Sequence, residues 1–421
     1  MDLMRAHGRW FKGVPQPLGD APLGAVAKAG PRLLDDDLML PAAILKRAAL
    51  DHNRAWMRAF TARFGLDFAP HAKTTMSPEL IALQLADGAW GITAATAQHV
   101  RAFAEIGVPR IVLANQLVGR ANIDAVLAIL AGRPMLDFYC LVDSVAGVTM
   151  LADAVAASGF GRPVKVLIEL GGAGERAGVR TLAEAIAMAQ ACTVRSDGIS
   201  LVGVEAFEGI YGIAGPVESL LDRMVEGARQ LDAAGLFTGD EVIVSAGGSL
   251  FLDLAGTALV RAAMQKPTRL VLRSGCYLTH DDRFIEDALA ASLARAPELA
   301  ALGHLQPALE VWAHVQSRPE PGRVVAALGK RDISYDIHPP QARWLFRRGR
   351  DRAPIALAPA ISVAKLYDQH ACLDVPPALD IAVGDLIGFG LSHPCTTFDK
   401  WRALFVVDDD YRVVDIVTTL F

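Results

Sequence analysis

The chain has 421 residues, 52% hydrophobic and 21% charged, enough apolar material for a barrel-sized domain and a smaller companion. Its net charge of −5, with Arg347, Arg348 and Arg350 as the densest basic cluster, disfavours nucleic-acid binding. No apolar run reaches the ~18 residues of a membrane span, the opening MDLMRAHGRWFKG lacks the apolar core of a secretory leader, and five scattered cysteines do not suggest a disulfide framework, so a cytoplasmic protein is expected.

Residues 1–40 do not follow the rhythm of what comes after and are expected to join a later β domain. From residue 66, short apolar runs alternate with Ala-rich amphipathic stretches. The runs lie at 66–73, 89–96, 110–115, 137–144, 164–171, 200–207, 241–248 and 269–275, and are apolar on both faces, as parallel strands covered by helices are. Between the first two, SPELIALQLADG offers Ser77 as helix cap, Pro78 as first helical residue and Gly88 as stop signal. Eight such strands alternating with helices within 41–298 predict a TIM-type (β/α)8 barrel. A doubly wound sheet is the competing reading. Against it, no GxGxxG follows the first strand, and polar residues recur at the ends of many strands, which in a barrel form one face. Over 299–421 the pattern turns to short strands broken by Pro, Gly and Asp, and VVDDDYRVVDIV reads as a hairpin, so a second, mostly β domain is expected.

Lys73 ends the first strand in APHAKTT. There it is a desolvated amine able to act as a Schiff-base nucleophile, a phosphate partner, or simply an exposed loop lysine. Two glycine turns, Ser245–Ala246–Gly247–Gly248–Ser249 and Arg273–Ser274–Gly275–Cys276–Tyr277, end the seventh and eighth strands, where barrels commonly hold a phosphate on backbone N–H groups. Arg176, in GGAGERAGVR, and Arg273 can point into the barrel mouth or form rim salt bridges. His393–Pro394–Cys395 is read as extended, with imidazole and thiol on one face. Such a pair suits Zn²⁺ better than Mg²⁺ or Ca²⁺, and two ligands leave the ion's other positions to water or substrate. A buried cysteine beside a loop histidine is the plainer alternative, and His314, His338 and His370 are read as surface or packing residues.

APHAKTTMSPELIALQLADGAWGITAATAQHV resembles the cofactor-lysine segment of the D-serine dehydratase and D-threonine aldolase family, which shares the alanine-racemase fold, and SHPCTTFDKWR is similar to its C-terminal metal segment. The resemblance runs from about residue 36 to the end. It implies pyridoxal 5′-phosphate (PLP) on Lys73 and a divalent metal, expected to be Zn²⁺, on His393 and Cys395. It also implies Arg273 facing the pyridine nitrogen, with Gly275 and Cys276 amides at the phosphate. By the same likeness Arg176 meets the phenolic oxygen, Ser245, Gly247 and Gly248 lie near the phosphate, and Tyr211 and Tyr277 line the cofactor or substrate. The family's aldolases tend to carry His-x-Asp and its dehydratases His-x-Cys, so Cys395 favours the dehydratase side. No counterpart of the racemase's second catalytic tyrosine is evident, which disfavours racemisation.

The expected activity is therefore a lyase reaction, loss of water from a D-β-hydroxy amino acid, most simply D-serine to pyruvate and ammonia. Retro-aldol cleavage of D-threonine is the near alternative, a non-catalytic PLP carrier the alternative of another class, and a barrel phosphate enzyme using Lys73 without PLP comes last. A head-to-tail homodimer is expected from the racemase likeness. Either the second domain of one chain approaches the other's barrel mouth, or His393 and Cys395 reach Lys73 within one chain.

Overall fold

The computed structural model describes residues 8–262, 264–359 and 361–421, so the first seven residues of the opening segment lie outside the described residues. The strands in chain order are β1 (Ala42–Lys46), β2 (Asp67–Phe68), β3 (Ile92–Ala94), β4 (Arg110–Gln116), β5 (Asp137–Val142), β6 (Val164–Leu170), β7 (Ile199–Ala206), β8 (Val242–Ala246) and β9 (Thr268–Leu272). Strands β2 to β9 are parallel, in the order β2-β9-β8-β7-β6-β5-β4-β3. The ring closes where Trp90 N donates to Phe68 O at 2.7 Å and Thr93 N to Pro70 O at 2.9 Å. Ala69, Val112, Leu141, Leu167, Val202, Ile243 and Val271 fill its interior as a buried cluster of their own. The helices cover the outside, burying Phe103, Leu127, Leu151, Met188 and Leu221 against the strands.

The first strand is shorter than the run 66–73 suggests. Pro70 has no N–H to give, so regular pairing stops at Phe68 and the chain continues through single bonds, Ala69 N to Leu272 O and His71 N to Arg273 O. The helix after it is built as expected. It spans Pro78–Ala86, Ser77 Oγ accepts from Leu80 N at 3.4 Å, and Gly88 turns at φ +92°.

The second sheet uses β10 (Leu309–Glu320), β11 (Arg323–Ala326), β12 (Gln341–Phe346), β13 (Ile355–Ala356), β14 (Ser362–Leu366), β15 (Ala371–Asp374), β16 (Leu386–Gly390), β17 (Ala403–Val407) and β18 (Val413–Thr418). Its main path is β13-β12-β16-β10-β1-β17-β18. Strand β1, on the barrel side of the boundary expected at residue 41, thus lies in this sheet, antiparallel to β10 and parallel to β17. The reason is that both of its faces are apolar: Ala43 and Leu45 pack into the main core, Ala42 and Ile44 into a second cluster. That cluster also takes Leu23, Val26, Leu33 and Leu34 of the N-terminal segment against Trp312, Phe405 and Val413. β17 and β18 form the antiparallel hairpin read from the sequence, turning through Tyr411 at φ +59°. All five cysteines are free, and among the described residues no helix is long and apolar enough to cross a membrane.

Candidate active site

A cavity of about 180 Å³ opens at the C-terminal ends of the barrel strands. Its wall includes Lys73, both glycine turns, and His393 and Cys395 of the second domain, so the metal-segment residues reach the lysine's cavity within one chain. Lys73 sits in the single 3-10 turn Ala72–Thr74 that follows the Pro70 break. Its side chain is exposed, so the desolvation expected of a strand-end lysine is not supplied by burial. Two imidazoles stand near it. His71 is held well below the usual histidine range by burial, then by Lys73, Arg273 and His99. His99 is lowered by burial and by Lys73. Both are therefore neutral at pH 7, and His71 Nδ1 is buried with no partner among the described residues.

The glycine turns meet the lysine segment closely. A Cβ on Gly275 would lie 2.3 Å from His71 O, so only glycine lets the two chains approach this way. Gly247 takes φ +109°. Its N–H and that of Gly248, both expected to serve the phosphate, instead donate to the fully buried carboxylate of Glu208 at 3.1 and 2.6 Å. By contrast, the N–H groups of Ser249, Gly275 and Cys276 donate to no acceptor among the described residues.

Ser245 lies below this layer rather than at the cavity. Its hydroxyl donates to Val271 O at 3.0 Å and accepts from Arg273 Nε at 2.8 Å, a consequence of facing the barrel interior from within β8. Arg273 lines the cavity, but its guanidinium is also ion-paired with Glu205 and donates to Ala206 O at 3.3 Å. Glu205 is pushed up to about 8 by burial and by Glu169 and Glu208, against the pull of Arg273 and Arg176. Glu169, its register partner on β6, is also raised, chiefly by burial, and accepts from Gln116 at 2.6 Å.

Arg176 is exposed and stacks over the ring of Phe207, 4.8 Å away, and Phe207 in turn lines the cavity. The two tyrosines expected to line the site do not. Tyr211 turns its hydroxyl onto Gly172, where any Cβ would be 1.8 Å from it. Tyr277 is the middle residue of the one-turn helix Cys276–Leu278, which points it away. It is buried edge-on against Phe68, and its hydroxyl accepts from Gln84 at 3.2 Å.

The His393–Cys395 segment is not extended. β16 ends at Gly390, Pro394 adopts φ −56° and ψ −39°, and Cys395–Phe398 forms a helical turn. The two side chains nevertheless share the cavity. His393 Nδ1 bonds the carboxylate of Asp336, which leaves Nε2 for a ligand, and Thr396 Oγ1 donates to the other Asp336 oxygen at 2.7 Å. Cys395 Sγ lies 3.3 Å from Thr74 Oγ1 and 3.9 Å from Cys276 Sγ. The thiol is held well below its usual range by Cys276, His393 and Thr74, and His393 is raised to about 9 by Cys395 and Asp336. Among the described residues no group of three or more His, Cys, Asp or Glu side chains is arranged to hold a metal.

Residues 308–407 match the family model described as "Putative serine dehydratase domain". The D-threo-3-hydroxyaspartate dehydratase of Delftia sp. (strain HT23) is 30% identical over 275 residues, covering 63% of this chain and 68% of that protein. The chain belongs to the D-serine dehydratase and D-threonine aldolase family. The D-threonine aldolase of Arthrobacter sp. is 25% identical over 374 residues, covering 88% of this chain and 89% of that one. The structure of D-threonine aldolase from Filomicrobium marinum superposes with a TM-score of 0.75 at 22% identity, covering 93% and 97% of the two chains. A solved alanine racemase shares the fold at a TM-score of 0.59. Members of the D-serine dehydratase and D-threonine aldolase family are lyases, and this chain is an enzyme of that class.

The site suits the groups that this family membership implies. The unpartnered amides of Ser249, Gly275 and Cys276 suit a phosphate, and Lys73 opens on the same cavity. Imidazole and thiol suit a borderline-soft ion such as Zn²⁺, with Asp336 orienting the imidazole. Several residues that matter here carry no signal in the sequence reading. His71 stands two positions before Lys73 and Glu208 opens the EGIYG stretch, where spacing offers a hint. Asp336 and Thr74 come from distant segments, and only the folded chain brings them to Cys395 and His393.

Proposed function

We propose that the protein is a PLP- and metal-dependent lyase that eliminates water from a D-β-hydroxy amino acid, most simply D-serine, giving pyruvate and ammonia. One observation carries the reading: an exposed lysine, free backbone amides and a His–Cys pair converge on one cavity of one chain. When bound, the cofactor would supply the electron sink for charge at Cα, and the metal a Lewis acid at the β-hydroxyl. Lys73, Ser249, Gly275 and Cys276 would hold the former, with Arg273 toward the pyridine nitrogen and Arg176 toward the phenolic oxygen. His393 and Cys395 would hold the latter.

Lys73 then moves the proton. Its exposed amino group would take the Cα proton, while neutral His71 and His99 place no competing positive charge beside it. Phe207, Leu250, Ile285 and Ile337 present apolar walls that limit water at the reacting carbons. A cytoplasmic homodimer belongs to the same reading, and sedimentation of the purified protein tests its oligomeric part.

Retro-aldol cleavage of D-threonine is the second reading, favoured by the match to D-threonine aldolase over most of the chain. Product analysis with D-serine and D-threonine, with and without chelator, separates the two. Pyruvate or 2-oxobutyrate with ammonia, lost on chelation, supports the dehydratase; glycine and acetaldehyde from D-threonine make it the aldolase. Lys73→Ala should lose both turnover and the visible absorbance of the bound cofactor, and retained turnover would sink the assignment.

A further inference from the structure

Two consecutive backbone N–H groups that point to one place form a ready site for an anion. In this chain Gly247 and Gly248 make such a pair, and the protein fills it with its own carboxylate. Glu208, fully buried two residues beyond β7, accepts from both amides. On its other side the Gly248 peptide is also tied down, since Ser274 Oγ donates to Gly248 O. The Gly248 peptide is therefore held between Glu208 and the Arg273–Cys276 turn, which links the two glycine turns into one unit. The amides of Ser249, Gly275 and Cys276, next to these anchors, have no acceptor among the described residues. A phosphate cannot take the Gly247 and Gly248 donors while Glu208 holds them, because each N–H is already committed to a carboxylate oxygen.

Burial holds the Glu208 carboxyl above the ordinary range, offset only in part by its own backbone N–H, the two glycine amides and Arg273. Glu205 is a further acid nearby, and its own ion pair with Arg273 is buried.

We propose that Glu208 is a positioning residue of the cofactor site. It takes the Gly247 and Gly248 amides for itself, fixes the linked glycine turns, and leaves the phosphate to Ser249, Gly275 and Cys276. This rests on the PLP reading above. The role differs from that of a residue that touches the cofactor: Glu208 acts only through the turn it holds.

The test compares PLP with pyridoxal, which carries the same aldehyde but no phosphate. Protein freed of cofactor is titrated with each, and the visible absorbance of the Lys73-bound form is followed for wild type, Glu208→Gln and Glu208→Asp. Glutamine offers one acceptor where two amides need acceptors, and its NH₂ faces the other N–H. Aspartate keeps the charge but is one methylene too short to reach both. Each variant should bind PLP at least tenfold more weakly and pyridoxal as wild type does. Aspartate keeps the test open if glutamine prevents folding. Unchanged PLP affinity would overturn the proposal, and so would tighter binding, which would make Glu208 a competitor of the phosphate. Equal weakening of PLP and pyridoxal would reduce Glu208 to a general structural role and overturn it as well. If wild type shows no such absorbance with either aldehyde, the cofactor reading itself falls.

Discussion

Replacing Glu205 by glutamine should change how stability depends on pH, in a direction opposite to what its ion pair suggests. Glu205 and Arg273 are almost wholly buried, and a bare count of contacts would make their salt bridge a source of stability at neutral pH. Burial and two neighbouring glutamates instead raise the Glu205 carboxyl from 4.5 to about 8, and its Oε1 has no partner among the described residues. A carboxyl raised in the fold binds its proton more tightly there than in the unfolded chain. Its stabilising effect is complete below pH 4.5 and is lost as pH rises to about 8. The shift from 4.5 to about 8 corresponds to about 5 kcal/mol between the two limits. Glutamine cannot ionise, so Glu205→Gln should escape this loss. Its melting temperature relative to wild type should rise by roughly 5 °C between pH 5 and pH 9 in a chain of this length. Thermal unfolding of cofactor-free protein across that range is the assay. A difference that stays flat, or falls with pH, would mean that Glu205 is ionised throughout and that attraction to Arg273 outweighs burial.

Two further changes test the site's supports. Asp336→Asn should weaken metal binding by about 10–100-fold, because the imidazole of His393 loses the carboxylate that orients it. Titration with Zn²⁺ against a competing chelator reads this directly, and an unchanged affinity would remove Asp336 from the account. Tyr277→Phe should leave PLP affinity unaltered and cost about 1 kcal/mol of stability, since its hydroxyl only accepts from Gln84. A large loss of cofactor binding would return Tyr277 to the site.

The alternation of apolar runs and Ala-rich stretches was enough to determine the barrel, because a strand covered by helices must be apolar on both faces and each helix must bury a stripe against it. Local chemistry singled out Lys73, the two glycine turns and the His–Cys pair as candidates, and the fold brings them to one cavity. The local reading misled where one pattern fits two tertiary roles. The boundary set at residue 41 gave Ala42–Lys46 to the barrel domain, yet this strand, apolar on both faces, lies inside the second sheet between β10 and β17. Gly247 and Gly248 look like phosphate donors, and Glu208, 39 and 40 residues away along the chain, takes them. Tyr277 follows Cys276 directly, but the one-turn helix that begins there sends the two side chains to opposite sides of the strand layer. The joining of Asp336 to His393 and of Thr74 to Cys395 rests on separations of 57 and 321 residues. Periodicity and spacing are short-range signals. Which acceptor satisfies a buried donor is decided by the packing of segments far apart in the chain, and only the tertiary structure contains that information.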